Sequence, residues 1–274
     1  MKDNLLDIIG YTHSLGIIDL VKIVGTDTET EIHAIAEDKS VIVTGKSKTP
    51  VADFIGTFGM PNLTKLKTIL GFDVYNDDSS AIDMTRTNKD GNDVPSAIHF
   101  ATKQGDFVND YRLMSQAIIE EKVRNVTFKG ANWDVEFEPT VAGIMRLKMQ
   151  AQANSEELNF TTKTEDGDLK IFFGDPSTHS GNFVFQPTVT GELTRAWMWP
   201  VKVFLSIMDL PGDKEGWGRE TDPTQSGRGA RFELGKQVIG TTIQRLKFTV
   251  LWFRYINTML LAKFHDYIEK IHRI

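Results

Sequence analysis

The chain has 274 residues, 40% of them hydrophobic, no cysteine and a formal net charge of −6. That length buries a sizeable core, most naturally as two domains of ordinary size, and the missing cysteines exclude disulfides and thiolate metal sites, which fits a cytoplasmic setting. Residues 231–274 hold 8 Lys or Arg against 3 Asp or Glu, so the tail carries +5 and the preceding 230 residues −11; an acidic body argues against a broad basic face that reads base sequence, while leaving room for a local basic lining.

In chain order, Met1-Lys2-Asp3 opens a short amphipathic stretch without the apolar core of a secretory leader, so secretion is not expected. The spacing predicts a helix over 3–15, with Leu5, Ile8, Ile9 and Thr12 on one face, Asp3, Asp7, Gly10 and Ser14 opposite, and Gly16 as its end. Four short β-branched or alternating runs follow at 18–24, 31–36, 41–44 and 52–58, an antiparallel meander. Pro61 then opens a helix over 62–70, with Leu63, Leu66 and Leu70 inward and Thr64, Lys65 and Thr68 outward, and Gly71 stops it.

Runs 81–87 and 97–102 flank Asn88-Lys89-Asp90-Gly91-Asn92, a hairpin signal because Asp-Gly accepts positive φ. Residues 103–121 have weak periodicity and are expected to form the crossover between halves. Strands are expected at 126–129 and 134–138, then a helix over 140–153 that buries Val141, Ile144, Leu147 and Ala151 and turns Arg146, Gln150 and Ala153 outward. Runs 157–163 and 168–173 pair across Asp166-Gly167, followed by 182–188 and a Pro-led helix over 200–210. Helix, strands, helix thus occurs twice, roughly 139 positions apart.

Enzyme signals are weak. Gly45-Lys46-Ser47 imitates the end of a phosphate-binding loop, but Ser40 stands where the required glycine should be and Pro50 where the helix should start. Asp175 to His179 places an acid, a hydroxyl and an imidazole together in what the pattern makes a hairpin loop. His13, His33, His99 and His179 lack metal-ligand spacing. No catalytic residue, metal or cofactor is assigned.

Two stretches carry a resemblance. Glu136-Phe-Glu-Pro-Thr-Val-Ala-Gly-Ile-Met-Arg-Leu-Lys-Met-Gln, followed by a strand, an Asp-Gly turn and Leu169-Lys-Ile-Phe-Phe, resembles the second-domain opening of the sliding clamps of T-even-type tailed phages. Val51-Ala-Asp-Phe-Ile-Gly-Thr-Phe-Gly-Met-Pro-Asn-Leu-Thr-Lys-Leu-Lys-Thr-Ile-Leu is similar to the strand and helix closing their first domain. The likeness covers residues 1–214 and lies in the order and spacing of elements. It implies an α+β DNA-clamp fold: two similar domains, each with an antiparallel sheet outside and two helices inside, closing head to tail as a homotrimer around duplex DNA. It also implies a non-enzymatic processivity factor for DNA replication in the infected host cell. Its partners would be the DNA polymerase, an ATP-dependent clamp loader and, in some members, phage transcription factors.

A sliding ring has to attract phosphates without reading bases. The candidates for that DNA-binding lining are Lys65 and Arg146 on outward helix faces and Lys67, Lys148 and Lys202 on the flanks; isolated helix lysines are otherwise ordinary solvated charge. The first helix shows Asp3 and Asp7 instead. Phe107, Tyr111, Leu113 and Met114 sit where a partner peptide would dock, or simply pack the junction.

The expected division is 1–105 and 106–215 for the two domains, a polar Gly-rich linker over 216–243 and a helical extension over 244–274. The last carries Phe253, Ile256, Leu260, Phe264, Tyr267 and Ile271 on one stripe, interrupted by Arg254, Asn257 and Lys263, so it does not span a membrane. That ending departs from the family and fits an added interaction helix, a membrane-surface segment or a replaced terminus. Two other function classes compete with the clamp: a phage structural protein with duplicated β-rich domains, and a hydrolase using Asp175 and His179.

Overall fold

The structure, a computed structural model, describes residues 1–37, 41–47, 49–77, 79–89, 91–124, 133–137, 139–193 and 195–209, and three backbone strands within 231–253. Helix α1 (Lys2–Tyr11) is followed by a 3-10 turn, His13–Leu15, which closes on Gly16 at φ 75°. Strands β1 (Leu20–Gly25), β2 (Thr30–Ile35), β3 (Val41–Lys46) and β4 (Gly56–Pro61) come next, then α2 (Leu63–Leu70), β5 (Ala81–Lys89), β6 (Asn92–Ala101) and β7 (Val108–Arg112). After the connecting helix α3 (Gln116–Lys122) come β8 (Trp133–Phe137), α4 (Val141–Ala153), β9 (Asn159–Glu165), β10 (Asp168–Gly174) and β11 (Ser180–Gln186). The two-residue β12 (Thr190–Gly191), β13 (Trp197–Pro200), α5 (Val201–Met208), β14 (Arg231–Gly235), β15 (Val238–Ile243) and β16 (Phe248–Phe253) complete the described chain.

The duplication is real at the level of topology. In the first module four strands lie in the order β4-β1-β2-β3, and in the second β13-β9-β10-β11 repeats that order, all antiparallel. Pro61 faces Leu20 across β4 and β1, and Pro200 faces Asn159 across β13 and β9. A proline ends each strand because it has no N–H for the ladder, and its restricted φ leads directly into a helix. Asn62, at φ 55°, caps α2 by accepting from the Lys65 N–H; asparagine tolerates this left-handed geometry better than most residues.

The second group of strands repeats as well. The order β5-β6-β7 in the first module is matched by β14-β15-β16 in the second, and β16 pairs with β3 while β14 pairs with β8. Strands therefore occupy 231–235, 238–243 and 248–253, where the sequence pattern predicts a linker and the start of a helix. The β-branched and aromatic content of Val238–Ile243 and Phe248–Phe253 suits the sheet they join. Residues 254–274, and the strand expected at 126–129, lie outside the described residues. Two further differences are β7, inside the expected crossover, and β13, which the sequence pattern does not predict.

Helices α1, α2, α4 and α5 pack on one side of these sheets. α1 buries Leu5, Ile8 and Ile9, α2 buries Leu63, Leu66, Ile69 and Leu70, and these share one core cluster with Val21, Ile23, Ala34, Val43, Phe58 and Met60. In the second module Ile144, Leu147, Phe204 and Ile207 meet Phe160, Ile171, Phe173 and Phe185. The buried indole of Trp199 donates to the Thr162 hydroxyl at 2.8 Å, so its polar atom is satisfied.

On the sheet surface Glu165 accepts from Lys163 at 2.8 Å and Lys170 at 3.1 Å, and these hydrogen bonds hold its carboxyl below the usual carboxylate range. A depressed folded value stabilises above the ordinary 4.5 and is lost as pH falls from there through the folded value. Glu165→Gln is expected to melt slightly below the parent at neutral pH, with the gap closing in acid. A gap that widens in acid would contradict this.

Candidate nucleic-acid interface

The four helices form one continuous row. α1 packs against α2, the His13–Leu15 turn packs against α5, and α5 packs against α4, giving the order α2, α1, α5, α4 across both modules. At one end the buried Tyr111 hydroxyl of β7 donates to the Pro61 carbonyl at the start of α2; burial pushes that hydroxyl up, so it remains a donor. At the other end α4 lies on β11. β7 and β11 are strands with a single described sheet neighbour.

All five basic candidates are exposed on this row. Lys65 and Lys67 lie on the solvent side of α2 with Thr64 and Thr68, and among the described residues neither forms an ion pair. Lys65 sits in the first turn of α2, and Lys202 is the second residue of α5. A cation there opposes the helix dipole, so neither is placed to stabilise its own helix, and both add to the positive potential of a helix N-terminus.

On α4 the arrangement differs from the expected one. Val141, Met145 and Met149 are 57, 59 and 66% exposed and run along the middle of the solvent face, with Arg146 and Lys148 on opposite flanks. The sequence pattern puts Val141 inside and Gln150 outside, but Gly143 is buried and Gln150 is half-buried, its Oε1 accepting from Asn154 at 3.1 Å. The cause is Gly143: a Cβ there would lie 2.7 Å from the Phe185 carbonyl, so the missing side chain lets the helix backbone close on β11 along that edge.

Lys148 is not a free cation. Its Nζ lies 2.5 Å from Oδ1 of Asp209, the residue that caps the C-terminus of α5. Arg146 is turned back so that its Nε donates to the Ala142 carbonyl at 3.3 Å. α1 exposes Asp3 and Asp7, and Lys2 is tied away from the row by hydrogen bonds to the Tyr75 carbonyl and Asn76. The row is basic at α2 and the start of α5, mixed at α4 and acidic at α1.

The other sequence candidates do not converge. Asp175 and His179 occupy the exposed β10–β11 turn, where Asp175 accepts from the Ser177 N–H at 2.8 Å and is thereby held below the usual carboxylate range. The bond between them is from the Asp175 N–H to the His179 carbonyl, with no ion pair between their side chains among the described residues. In the crossover, Met114 forms a two-bond bridge with Gly59 at 2.8 and 2.9 Å, and Ile119 of α3 lies over Gly59, where a Cβ would fall 2.8 Å from it. Leu113 and Tyr111 pack inward, while Phe107 stays partly exposed against Phe72 and Tyr75.

No protein-family model matches the sequence, and no curated protein matches it. Solved structures do. The chain superposes on the PCNA of A. fulgidus, determined with the C-terminal region of FEN-1 bound to it, with a TM-score of 0.60 at 12% identity over 94% of this chain and 98% of that one. PCNA from Thermococcus kodakaraensis gives 0.57 at 11% identity, over 92% and 96%. A putative DNA polymerase III beta subunit from Eubacterium rectale gives 0.58 at 12% identity, over 93% of this chain and 64% of that one. The chain therefore has the clamp fold, with its antiparallel sheets and its row of helices.

Proposed function

We propose that this protein is a sliding clamp: a ring around duplex DNA that tethers the replicative polymerase and catalyses nothing itself. The observation that carries the reading is the helix row. Exposed Lys65, Lys67 and Lys202, joined by Arg146 and Lys148, lie on one side of a duplicated module whose sheets lie behind it. Phosphates are attracted without base readout because these are single flexible cations on helix surfaces.

Closure is proposed through two of the sheet edges, β7 and β11, each with one sheet neighbour among the described residues. β7 with α2 ends one side of the chain and β11 with α4 the other, so a head-to-tail contact that adds β11 of one copy to β7 of the next would extend the sheet across the boundary. Both ends also expose apolar side chains: Val74, Phe107 and Val108 near β7, and Val141, Met145 and Met149 on α4. Two modules per chain require three chains for a six-module ring, so the assembly is a homotrimer. In this reading β7 counts to the first module and β14–β16 to the second. A loader that opens the ring, a T-even-type phage source and the host cytoplasm belong to the same reading.

Lys65→Glu with Arg146→Glu tests the lining. The fold should persist, since both residues are exposed, while DNA retention falls and processive synthesis shortens. The salt dependence of binding should flatten by about 0.9 for each phosphate that is no longer neutralised. Unchanged binding and processivity would remove the assigned lining. A phage structural protein with duplicated β-rich domains would show no salt-sensitive retention on circular DNA in the first place.

A further inference from the structure

We propose that Asp209 is an internal competitor for DNA phosphate, holding Lys148 across the α4–α5 groove and releasing it when a phosphate takes its place. The inference rests on the clamp reading, and it concerns how tightly the ring grips.

Asp209 caps the C-terminus of α5, the negative pole of that helix, where a carboxylate is unfavourable unless a cation meets it. Lys148 from α4 is that cation, at 2.5 Å. Both side chains are nearly half exposed, 46% and 48% of their surface. An ion pair in such a setting contributes little to stability and opens readily. The pair therefore has little to do for the fold.

Its consequence for DNA is larger. A phosphate approaching Lys148 has to displace a carboxylate that is already in place, so the new ion pair forms as an exchange. Asp209 then regains its own counterion from solution, which cancels part of the ion release that normally drives binding. The first module has no equivalent: α2 bears Lys65 and Lys67 without a carboxylate partner among the described residues. One end of the helix row thus offers ready cations and the other a cation under restraint. This arrangement limits grip, and a ring that must move along DNA benefits from limited grip.

The test is Asp209→Asn in the full-length chain, measured by the anisotropy of a labelled random-sequence duplex of about three helical turns across a salt series, beside Lys148→Gln and the double variant. Asp209→Asn should bind several-fold tighter at low salt, with the slope of log affinity against log salt steeper by up to about 0.9 per chain. Lys148→Gln should weaken the parent only slightly, and the double variant should lose the whole gain, a non-additivity that a merely structural aspartate would not produce. Melting should be nearly unchanged in all three.

Asp209→Asn binding identical to the parent, or a gain that survives Lys148→Gln, would overturn the inference. If those results appear while Lys65→Glu with Arg146→Glu still weakens binding, the clamp reading stands and only the competitor falls. If the parent shows no salt-sensitive binding at all, both fall together.

Discussion

Met145→Glu combined with Met149→Glu is expected to convert a three-chain assembly into single chains, so that the mass in solution falls from about three times 30.9 kDa to one. The two methionines lie a helical turn apart on α4 and are 59 and 66% exposed, so neither contributes much to the core of its own chain. An unpartnered apolar stripe on α4, the helix that lies on the edge strand β11, is a contact waiting for a surface. Covering two methionine side chains contributes roughly 3 to 6 kcal/mol per boundary, and burying two carboxylates there instead adds a desolvation cost of several more. A boundary weakened by even about 3 kcal/mol loses more than 100-fold in affinity, and a closed ring has three such boundaries. Circular dichroism and melting should stay close to the parent. Retention of the full assembly would mean that the α4 stripe is not where copies meet.

Much of this architecture is legible in the sequence because it obeys local rules. Pro61 and Pro200 announce the second helix of each module, Asp90-Gly91 and Asp166-Gly167 announce hairpins, and apolar periodicity finds α1, α2 and α5. What escapes depends on contacts between distant residues. Val141, Ile144, Leu147 and Ala151 form a regular stripe that predicts one face of α4, but the helix closes on β11 through Gly143. A glycine within an otherwise good helix is the available signal. The strand Trp197–Pro200 is only four residues long and alternates large buried indoles with exposed Met198, too short a run for periodicity to register. Over Val238–Phe253 the β-branched and aromatic runs are visible, yet an apolar stripe starting at Phe253 points toward a helix.

The proposed DNA-binding row is legible in residue type and less so in electrostatic state. Lys65, Lys67 and Lys202 are exposed where the helical pattern puts them. Lys148 is also exposed, but its partner Asp209 stands 61 positions away on another helix, and no spacing rule links them. Asp3 and Asp7 on α1 mark the break in a basic lining from sequence alone, and the structure places that break in the middle of the row. The row is therefore better described as basic at α2 and the start of α5, acidic at α1 between them and mixed at α4, than as a uniformly positive channel.

Phe204→Ala is expected to cost about 3 to 5 kcal/mol and to lower the melting temperature by roughly 10 °C. Phe204 is 1% exposed and stands in an aromatic cluster, edge-on to Phe160 at 4.9 Å between centroids and edge-on to Phe185 at 6.3 Å. Those two rings come from β9 and β11, the strands that flank β10, so this one side chain ties α5 to both of them. Removing it leaves a cavity that close-packed rings cannot collapse to fill. The loss should reach the interface too, because α5 carries Lys202 near its first turn and Asp209 at its end. DNA retention should fall at temperatures well below the unfolding transition, while Lys202→Gln weakens retention without moving the melt. A Phe204→Ala melt within about 1 °C of the parent would show that α5 is held by something other than this cluster.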